Sequence, residues 1–398
     1  VPDYDVSTPL DTDYYGVFAD VPQTDRAFWD RARSFATESL DELTTAWDKA
    51  EYPLHLARRL GELDLLTDGV VGPGLSPMSP LAAGLVNMEI SRGDGSMGTV
   101  VAVQGGLALR SIALRSIALF GSPEQQERWL VPLARAEKLG AFALTEPDHG
   151  SDSVGLETTA QRDGDEWVLN GEKKWIGNGS VGDVTVVWAR DDDGNVRGFL
   201  VEQDTPGYHG ETITGKGSLR AIHQARITLT DVRIPLDAVL PGTHTFKDAS
   251  TVLFATRLGV AWSALGHATA VFEAALNYST QRIQFGKPLA GFQLVQERLT
   301  MMLSRLTSMQ LHCLRLAELD GAGTLRPIQA SLAKYHNTRA AREIASMARD
   351  MLGGNGILLE NHVIQHLADI ESLHTYEGTE SVQSLLIGRD LTGISAFR

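Results

Sequence analysis

A single cysteine, Cys313, occurs in 398 residues, which rules out an intrachain disulfide and a cysteine-rich metal centre. Its helical, apolar neighbourhood assigns it to a core rather than to a nucleophile. Basic residues are the minority, 35 against 50 acidic, and the net charge of −15 argues against nonspecific nucleic-acid binding or adhesion to anionic membranes. An anionic cofactor remains compatible, because a few local arginines and helix N-termini suffice to hold phosphates. No apolar run approaches transmembrane length, and no basic segment followed by an apolar stretch opens the chain, so the cytoplasm is the expected location. The first residue is Val1 rather than Met, as expected of a trimmed or incompletely represented N-terminus. A strand–GxGxxG–helix unit is also missing, which argues against a nicotinamide-binding Rossmann domain.

With 43% hydrophobic residues the chain can bury large cores in two or three domains. After an irregular start, a helical period begins near Thr24, a candidate cap for a segment carrying Ala27, Phe28, Ala32, Phe35 and Ala36. Segments Leu54–Leu65, Pro80–Ile90, Thr99–Leu119 and Pro123–Ala136 read likewise, giving an N-terminal helical domain over 1–138. Residues 139–245 carry short β-rich runs, among them Ala141–Leu144, Val184–Ala189 with its hairpin partner Val196–Val201, and Ala225–Thr230 ending at Pro235. They predict a middle antiparallel β-domain. Residues 246–398 return to long helical periods near 251–280, 289–319, 326–352 and 361–374, with a last helix from Thr379, as suits an antiparallel bundle. The fold class is therefore α+β, mainly α. Leu109-Arg110-Ser111-Ile112-Ala113 is repeated at once as Leu114-Arg115-Ser116-Ile117-Ala118. Five residues turn a helix by about 500°, so the copies cannot pack alike, and a solvated bulge at a helix end accounts for them.

Four loops and one corner carry chemistry. In Phe142–Asp152, Thr145 and Ser151 offer hydroxyls and Gly150 allows backbone amides to approach a planar or phosphorylated ligand. In Asn170–Gly179, the Trp175 indole can cover an aromatic ring. In Gln281-Arg282-Ile283-Gln284-Phe285-Gly286-Lys287-Pro288-Leu289, Arg282 can pair with a pyrophosphate and Pro288 can open the next helix. Met351-Leu352-Gly353-Gly354-Asn355-Gly356 ends a long helix. The corner is Tyr376-Glu377-Gly378-Thr379, where a lone carboxylate sits between an aromatic residue and a glycine and Thr379 can cap the next helix. A carboxylate desolvated in this way suits removal of a weakly acidic proton from carbon. His362 and His366 have helical metal-ligand spacing, but no carboxylate completes a zinc-protease pattern, and a solvated or interfacial helix face explains them.

In order and approximate spacing these motifs resemble the acyl-CoA dehydrogenase family over nearly the whole chain. Arg197-Gly198-Phe199-Leu200, Lys216-Gly217-Ser218-Leu219-Arg220-Ala221, the Asp350–Gly356 run and the Thr375–Phe397 tail look most like the glutaryl-CoA dehydrogenase branch. The resemblance implies FAD, an acyl-CoA thioester substrate and α,β-dehydrogenation, with Glu377 as the base and electron-transfer flavoprotein as acceptor. It also implies that the enolate charge is met by the Glu377 N–H and a flavin ribityl hydroxyl. By matching positions, Phe142, Leu144, Thr145, Gly150, Ser151, Trp175 and Ile176 line the flavin. Arg282, Phe285 and Gln293, with Gly353 and Gly354, reach the FAD of a neighbouring subunit, and Thr379 and Ser381 complete its phosphate contacts. Ser151, Arg257, Tyr376 and Gly378 bind substrate, with Arg257 near the CoA moiety. A shared cofactor site implies an oligomer, in this family most often a homotetramer.

Two positions depart from the pattern. Ser91 and Gly98 stand where glutaryl-CoA dehydrogenases carry a Glu and an Arg that hold the distal carboxylate, and a buried carboxylate without a cation is costly. The expected substrate is a short or modestly branched neutral acyl-CoA, and loss of CO2 is not expected. Gly177 replaces a common Thr beside the flavin, removing a hydroxyl and opening space; the same Trp-Ile-Gly-Asn form is similar to that of plant short-chain acyl-CoA oxidases. An oxidase passing electrons to O2 is therefore the alternative. A noncatalytic FAD and acyl-CoA binder, or a flavin monooxygenase on the same fold, is set against by Glu377.

Overall fold

The computed structural model describes residues 9, 10, 12–105 and 112–397. Six helices come first: α1 (Gln23–Lys49), α2 (Leu54–Glu62), α3 (Pro80–Gly93), α4 (Gly95–Val100), α5 (Ile112–Phe120) and α6 (Pro123–Ala134). Thr24 does not cap α1; the helix starts one residue earlier, after Pro22, and Thr24 lies inside its first turn. Caps of the expected chemistry do open α3, where Ser79 accepts from the Ala82 N–H at 3.0 Å, and α6, where Ser122 and Gln125 form a reciprocal capping box. In the stretch read as one helix from Thr99, α4 passes into a π-helical segment at Val101–Gly105 and α5 takes up the helix from Ile112, while residues 106–111 lie outside the described residues. The start of the first five-residue repeat lies outside the described residues, whereas the second copy lies in α5 with Leu114 and Ile117 fully buried.

The middle strands are β1 (Gly140–Ala143), β2 (Thr159–Asp163), β3 (Glu166–Gly177), β4 (Val184–Arg190), β5 (Val196–Glu202), β6 (Tyr208–Thr212) and β7 (Gln224–Pro235). They form one sheet in the order β1-β4-β2-β3-β7-β6, with β5 on β4. The sheet is mixed rather than antiparallel: β1 runs parallel to β4, from Gly140 opposite Val184 to Ala143 opposite Val187. Long connections make this possible, since β2 and β3 lie between the two in sequence. Every residue of β1 is buried, as expected of a strand covered on both faces. Phe142, Val186 and Trp188 pack with Leu114, Ile117 and Leu133 of the first helices, while Ala141, Val187 and Phe199 pack with Ile227 and Leu229 within the sheet's other face.

The C-terminal bundle comprises α7 (Phe246–Gln281), α8 (Gln293–Gly321), α9 (Pro327–Met351), α10 (Val363–Thr375) and α11 (Glu380–Thr392). A small hairpin of β8 (Ile283–Gln284) and β9 (Lys287–Pro288) follows α7, so Pro288 ends a strand and does not open α8. All residues from Thr256 to Ala275 of α7 are buried, which marks it as the central rod of the molecule. α3 crosses it with close backbone approach: a Cβ added at Gly84 would lie 2.2 Å from the Trp262 ring, and one at Gly266 2.2 Å from the Met88 carbonyl. Beside this crossing Glu89 is buried and shared by Trp29, Arg33 and Arg92, and Arg92 also pairs with buried Glu273, tying α1, α3 and α7. Cys313 is buried in the same core. His366 is not solvated: it is buried, with its Nδ1 2.8 Å from Nδ1 of His267, because α10 turns that face onto α7.

Candidate active site

Helix α10 stops at Tyr376, and the chain reverses through two left-handed residues, Glu377 at φ 56° and Gly378 at φ 84°. Such a φ is disfavoured for glutamate by roughly 1–2 kcal/mol, so surrounding contacts must hold it. Gly378 is required, since a Cβ there would lie 2.5 Å from Nε2 of Gln383. Thr379 then caps α11, its hydroxyl accepting from the Val382 N–H at 3.3 Å.

Three helices converge on this corner. From α7, the Thr256 hydroxyl donates to Oε2 of Glu377 at 2.7 Å, and Nε of Arg257 approaches the Glu377 carbonyl at 3.4 Å. From α9, Lys334 Nζ donates to the carbonyls of Tyr376 and Gly378, and Ser331 accepts from Arg257 at 3.0 Å. From α11, Gln383 Nε2 donates to the carbonyls of Glu377 and Gly378 at 2.9 and 3.1 Å. From α4 the Thr99 side chain hydrogen-bonds the Tyr376 phenol. Glu377 keeps accessible surface although protein surrounds it, as a side chain does at the floor of a cleft.

Burial raises the Glu377 carboxyl above its ordinary range, against the Thr256 hydrogen bond and the charges of Arg257 and Lys334. Burial likewise pushes the Lys334 ammonium and the Arg257 guanidinium down, opposed in both by Glu377. Two buried cations thus face one carboxylate.

In the middle domain, Lys173 is fully buried and its Nζ reaches Glu146 Oε1 at 2.8 Å and the Leu144 carbonyl at 3.2 Å. Burial would raise the Glu146 carboxyl, but Lys173 and hydrogen bonds from Thr158 and the Glu157 N–H hold it down at about 2. This pair clamps the loop that carries Thr145, Gly150 and Ser151. The hydroxyls of Thr145 and Ser151 have no protein partner among the described residues, and a Cβ at Gly150 would meet nothing within 4 Å. Trp175 lies beside them at φ 66° and 55% exposed, while Ile176 is buried. Unpaired hydroxyls next to an open indole fit an aromatic ligand with polar substituents. The side chains of Phe142 and Leu144 point into the core, with Phe142 5.9 Å from Trp188, so only their backbone is open to a ligand. Gly177 does not open space, because Val103 of the π-turn stands 3.1 Å from where its Cβ would be.

Arg282, Phe285 and Gln293, with Gly353 and Gly354, form a separate exposed group. Asn355 ties the glycine turn to the end of α7 through the Tyr278 hydroxyl at 2.9 Å. Twenty-five residues along α7 separate Arg257 from Arg282, roughly 38 Å at a helical rise. This group is therefore remote from Glu377 in the same chain. Ser381 is exposed on the first turn of α11.

Ser91 and Gly98 do face each other: a Cβ at Gly98 would lie 2.1 Å from the Ser91 hydroxyl. Ser91 contacts the Ser263 hydroxyl at 3.1 Å, and Ser263 donates to Asn87, which is anchored on the Gly259 carbonyl. Thr256, Gly259 and Ser263 share one face of α7, so this neutral polar cluster lies about 10 Å along the helix from Thr256. A cavity of about 410 Å³ lined by Arg128, Trp129, Lys138, Asp183 and Glu202 contains none of the residues above and is bordered by the pairs Arg128–Glu202 and Lys138–Asp183.

Sequence reasoning missed Thr256, Lys334, Gln383 and the Lys173–Glu146 pair. Lys334 left a signal, a lysine in phase with the buried stripe Ala330, Asn337 and Ala341 of α9. The others are ordinary polar residues whose partners lie far along the chain.

Family models for the acyl-CoA dehydrogenase N-terminal, middle and C-terminal domains match residues 22–137, 141–232 and 246–392. The human mitochondrial short-chain specific acyl-CoA dehydrogenase is 35% identical over 390 residues, which is 96% of this chain and 93% of that protein. A crystal structure of glutaryl-CoA dehydrogenase from Mycobacterium smegmatis superposes with a TM-score of 0.92 at 42% identity, covering 96% of this chain and 98% of that one. A glutaryl-CoA dehydrogenase from the same organism in complex with FADH2 gives 0.91 at 39% identity, with the same coverages of 96% and 98%. The chain belongs to the acyl-CoA dehydrogenase family, FAD-dependent oxidoreductases acting on the CH–CH group of an acyl-CoA.

Proposed function

We propose that this enzyme converts a short or modestly branched neutral acyl-CoA to the trans-2-enoyl-CoA, with Glu377 as the base. The carrying observation is the corner itself: the desolvated carboxylate of Glu377 keeps accessible surface and is poised by Thr256, and the Glu377 N–H has no acceptor among the described residues. Glu377 takes the α-proton, and its N–H receives the charge that develops on the thioester oxygen. Bound FAD supplies the acceptor for the β-hydride, so the substrate loses one proton and one hydride as the C–C double bond forms. Thr145, Ser151, Trp175 and Ile176, with the backbone of Phe142, Leu144 and Gly150, would hold the isoalloxazine side of the cofactor, and Arg257, Tyr376, Gly378 and Ser151 the thioester.

The neutral cluster of Ser91, Ser263 and Asn87 favours an uncharged acyl chain over a dicarboxylic one, because it offers a distal carboxylate hydroxyls and an amide but no cation. Arg282, Phe285 and Gln293, with Gly353 and Gly354, suit a neighbouring subunit's FAD, while Thr379 and Ser381, beside Glu377, suit the phosphates of the FAD bound at this chain's own corner; the shared site requires an oligomer, by family habit a homotetramer. Electron-transfer flavoprotein is the proposed acceptor. The absent hydroxyl at Gly177 favours the oxidase alternative, while Val103 filling that space weighs against it.

Anaerobic titration of the flavin absorbance with butyryl-CoA and glutaryl-CoA tests the reading. Bleaching by butyryl-CoA alone is expected, with slow reoxidation in air. Bleaching by glutaryl-CoA sinks the substrate class, and fast reoxidation in air replaces the dehydrogenase by an oxidase.

A further inference from the structure

We infer that Lys334 is a positioning residue for the reaction: from α9 it fixes the carbonyls on both sides of Glu377 and so aims the Glu377 N–H as the donor to the thioester oxygen. The inference rests on the proposed reading of Glu377 and its N–H. Lys334 is 1% exposed, and its ammonium donates to the carbonyls of Tyr376 and Gly378. No cis peptide bond occurs among the described residues, so the Tyr376–Glu377 amide is a trans plane in which N–H points opposite to C=O. A cation held at the Tyr376 oxygen therefore turns the Glu377 N–H away from α9. It also polarises that amide and makes the N–H a stronger donor when negative charge develops beyond it.

The other donors do not duplicate this action. Gln383 and Arg257 reach the carbonyls of Glu377 and Gly378, and neither reaches that of Tyr376. Among the described residues Lys334 makes no salt bridge, and the one carboxylate whose charge acts on it is Glu377, which becomes neutral when it takes a proton. A buried ammonium is costly, and a purely architectural contact to two carbonyls could be made by a neutral amide at less cost. What the amide would lack is the charge that remains while the thioester oxygen becomes anionic.

The test uses FAD-loaded protein and acetoacetyl-CoA, whose enolate absorbs in the near ultraviolet, to read the apparent pKa of the bound ligand. In the wild type that pKa is expected to fall below its value in solution. Lys334→Met is expected to weaken enolate stabilisation tenfold or more and to lower kcat on butyryl-CoA by at least as much, with little change in KM. Glu377→Gln separates the two readings: it should abolish turnover while retaining the lowered enolate pKa. Turnover by Glu377→Gln overturns the base assignment and leaves the Lys334 measurement standing. A folded Lys334→Met that lowers the ligand pKa as the wild type does overturns the inference, even with a reduced Tm. Should that variant fail to fold, Lys334→Gln, which keeps a hydrogen bond without the charge, is expected to lose most of the enolate shift and refutes the inference if it retains all of it.

Discussion

Thr256 holds one oxygen of Glu377 at 2.7 Å, one helical position before the arginine that the sequence motif picks out. A hydrogen bond to the charged form of a carboxyl favours that form, so Thr256 works against the burial that raises Glu377. Thr256→Val keeps the shape and removes the donor. Hydrogen bonds to charged groups contribute about 1.5 kcal/mol or more, equivalent to roughly tenfold in rate. Because the carboxyl of the variant rises further, kcat/KM should fall by about that factor on the acid side and recover as the pH is raised. A pH–rate profile that is lowered evenly, without displacement of its acid limb, would show that Thr256 does not set the state of the base.

At the scale of elements, the α3–α7 crossing depends on Gly84 and Gly266, whose added methyls would strike Trp262 and the Met88 carbonyl. Gly84→Ala should therefore destabilise by about 1–3 kcal/mol, read as a lower urea midpoint at equal FAD content; an unchanged midpoint would mean that the helices separate without cost. The helices themselves were legible because apolar residues recur at a fixed period and Thr379 has the chemistry of the cap it forms, whereas the caps Ser79 and Ser122 emerged only with the structure. Thr24 shows the limit of that reading, since Pro22 sets the start of α1 and any of the neighbouring polar residues looks like a cap. The parallel pairing of β1 with β4 was not legible, because Ala-Phe-Ala carries the same alternation whichever way its neighbour runs. Glu377 could be found from a local motif, whereas Lys334 and Thr256 meet it only after separations of more than forty and one hundred residues. Pro288 misled for a related reason: a proline suits the first turn of a helix and the end of a hairpin strand equally well.

For the whole molecule, the far end of α7 presents Phe285 at 93% exposure, Leu294 at 72% and Ile283 at 53%, an apolar group that a lone chain gains nothing by showing to water. In the proposed assembly it is covered by a second subunit. Phe285→Asp should then sediment as smaller species and retain less flavin; an unchanged distribution would remove the hairpin from the interface. The molecule also carries seven tryptophans, and six of them, at positions 29, 47, 129, 167, 188 and 262, are no more than 9% exposed, against 55% for Trp175. A collisional quencher such as acrylamide consequently reports on one indole, and with Trp175 at the flavin as proposed, the emission of this chain becomes a built-in optical probe of cofactor loading, free of any label and independent of turnover.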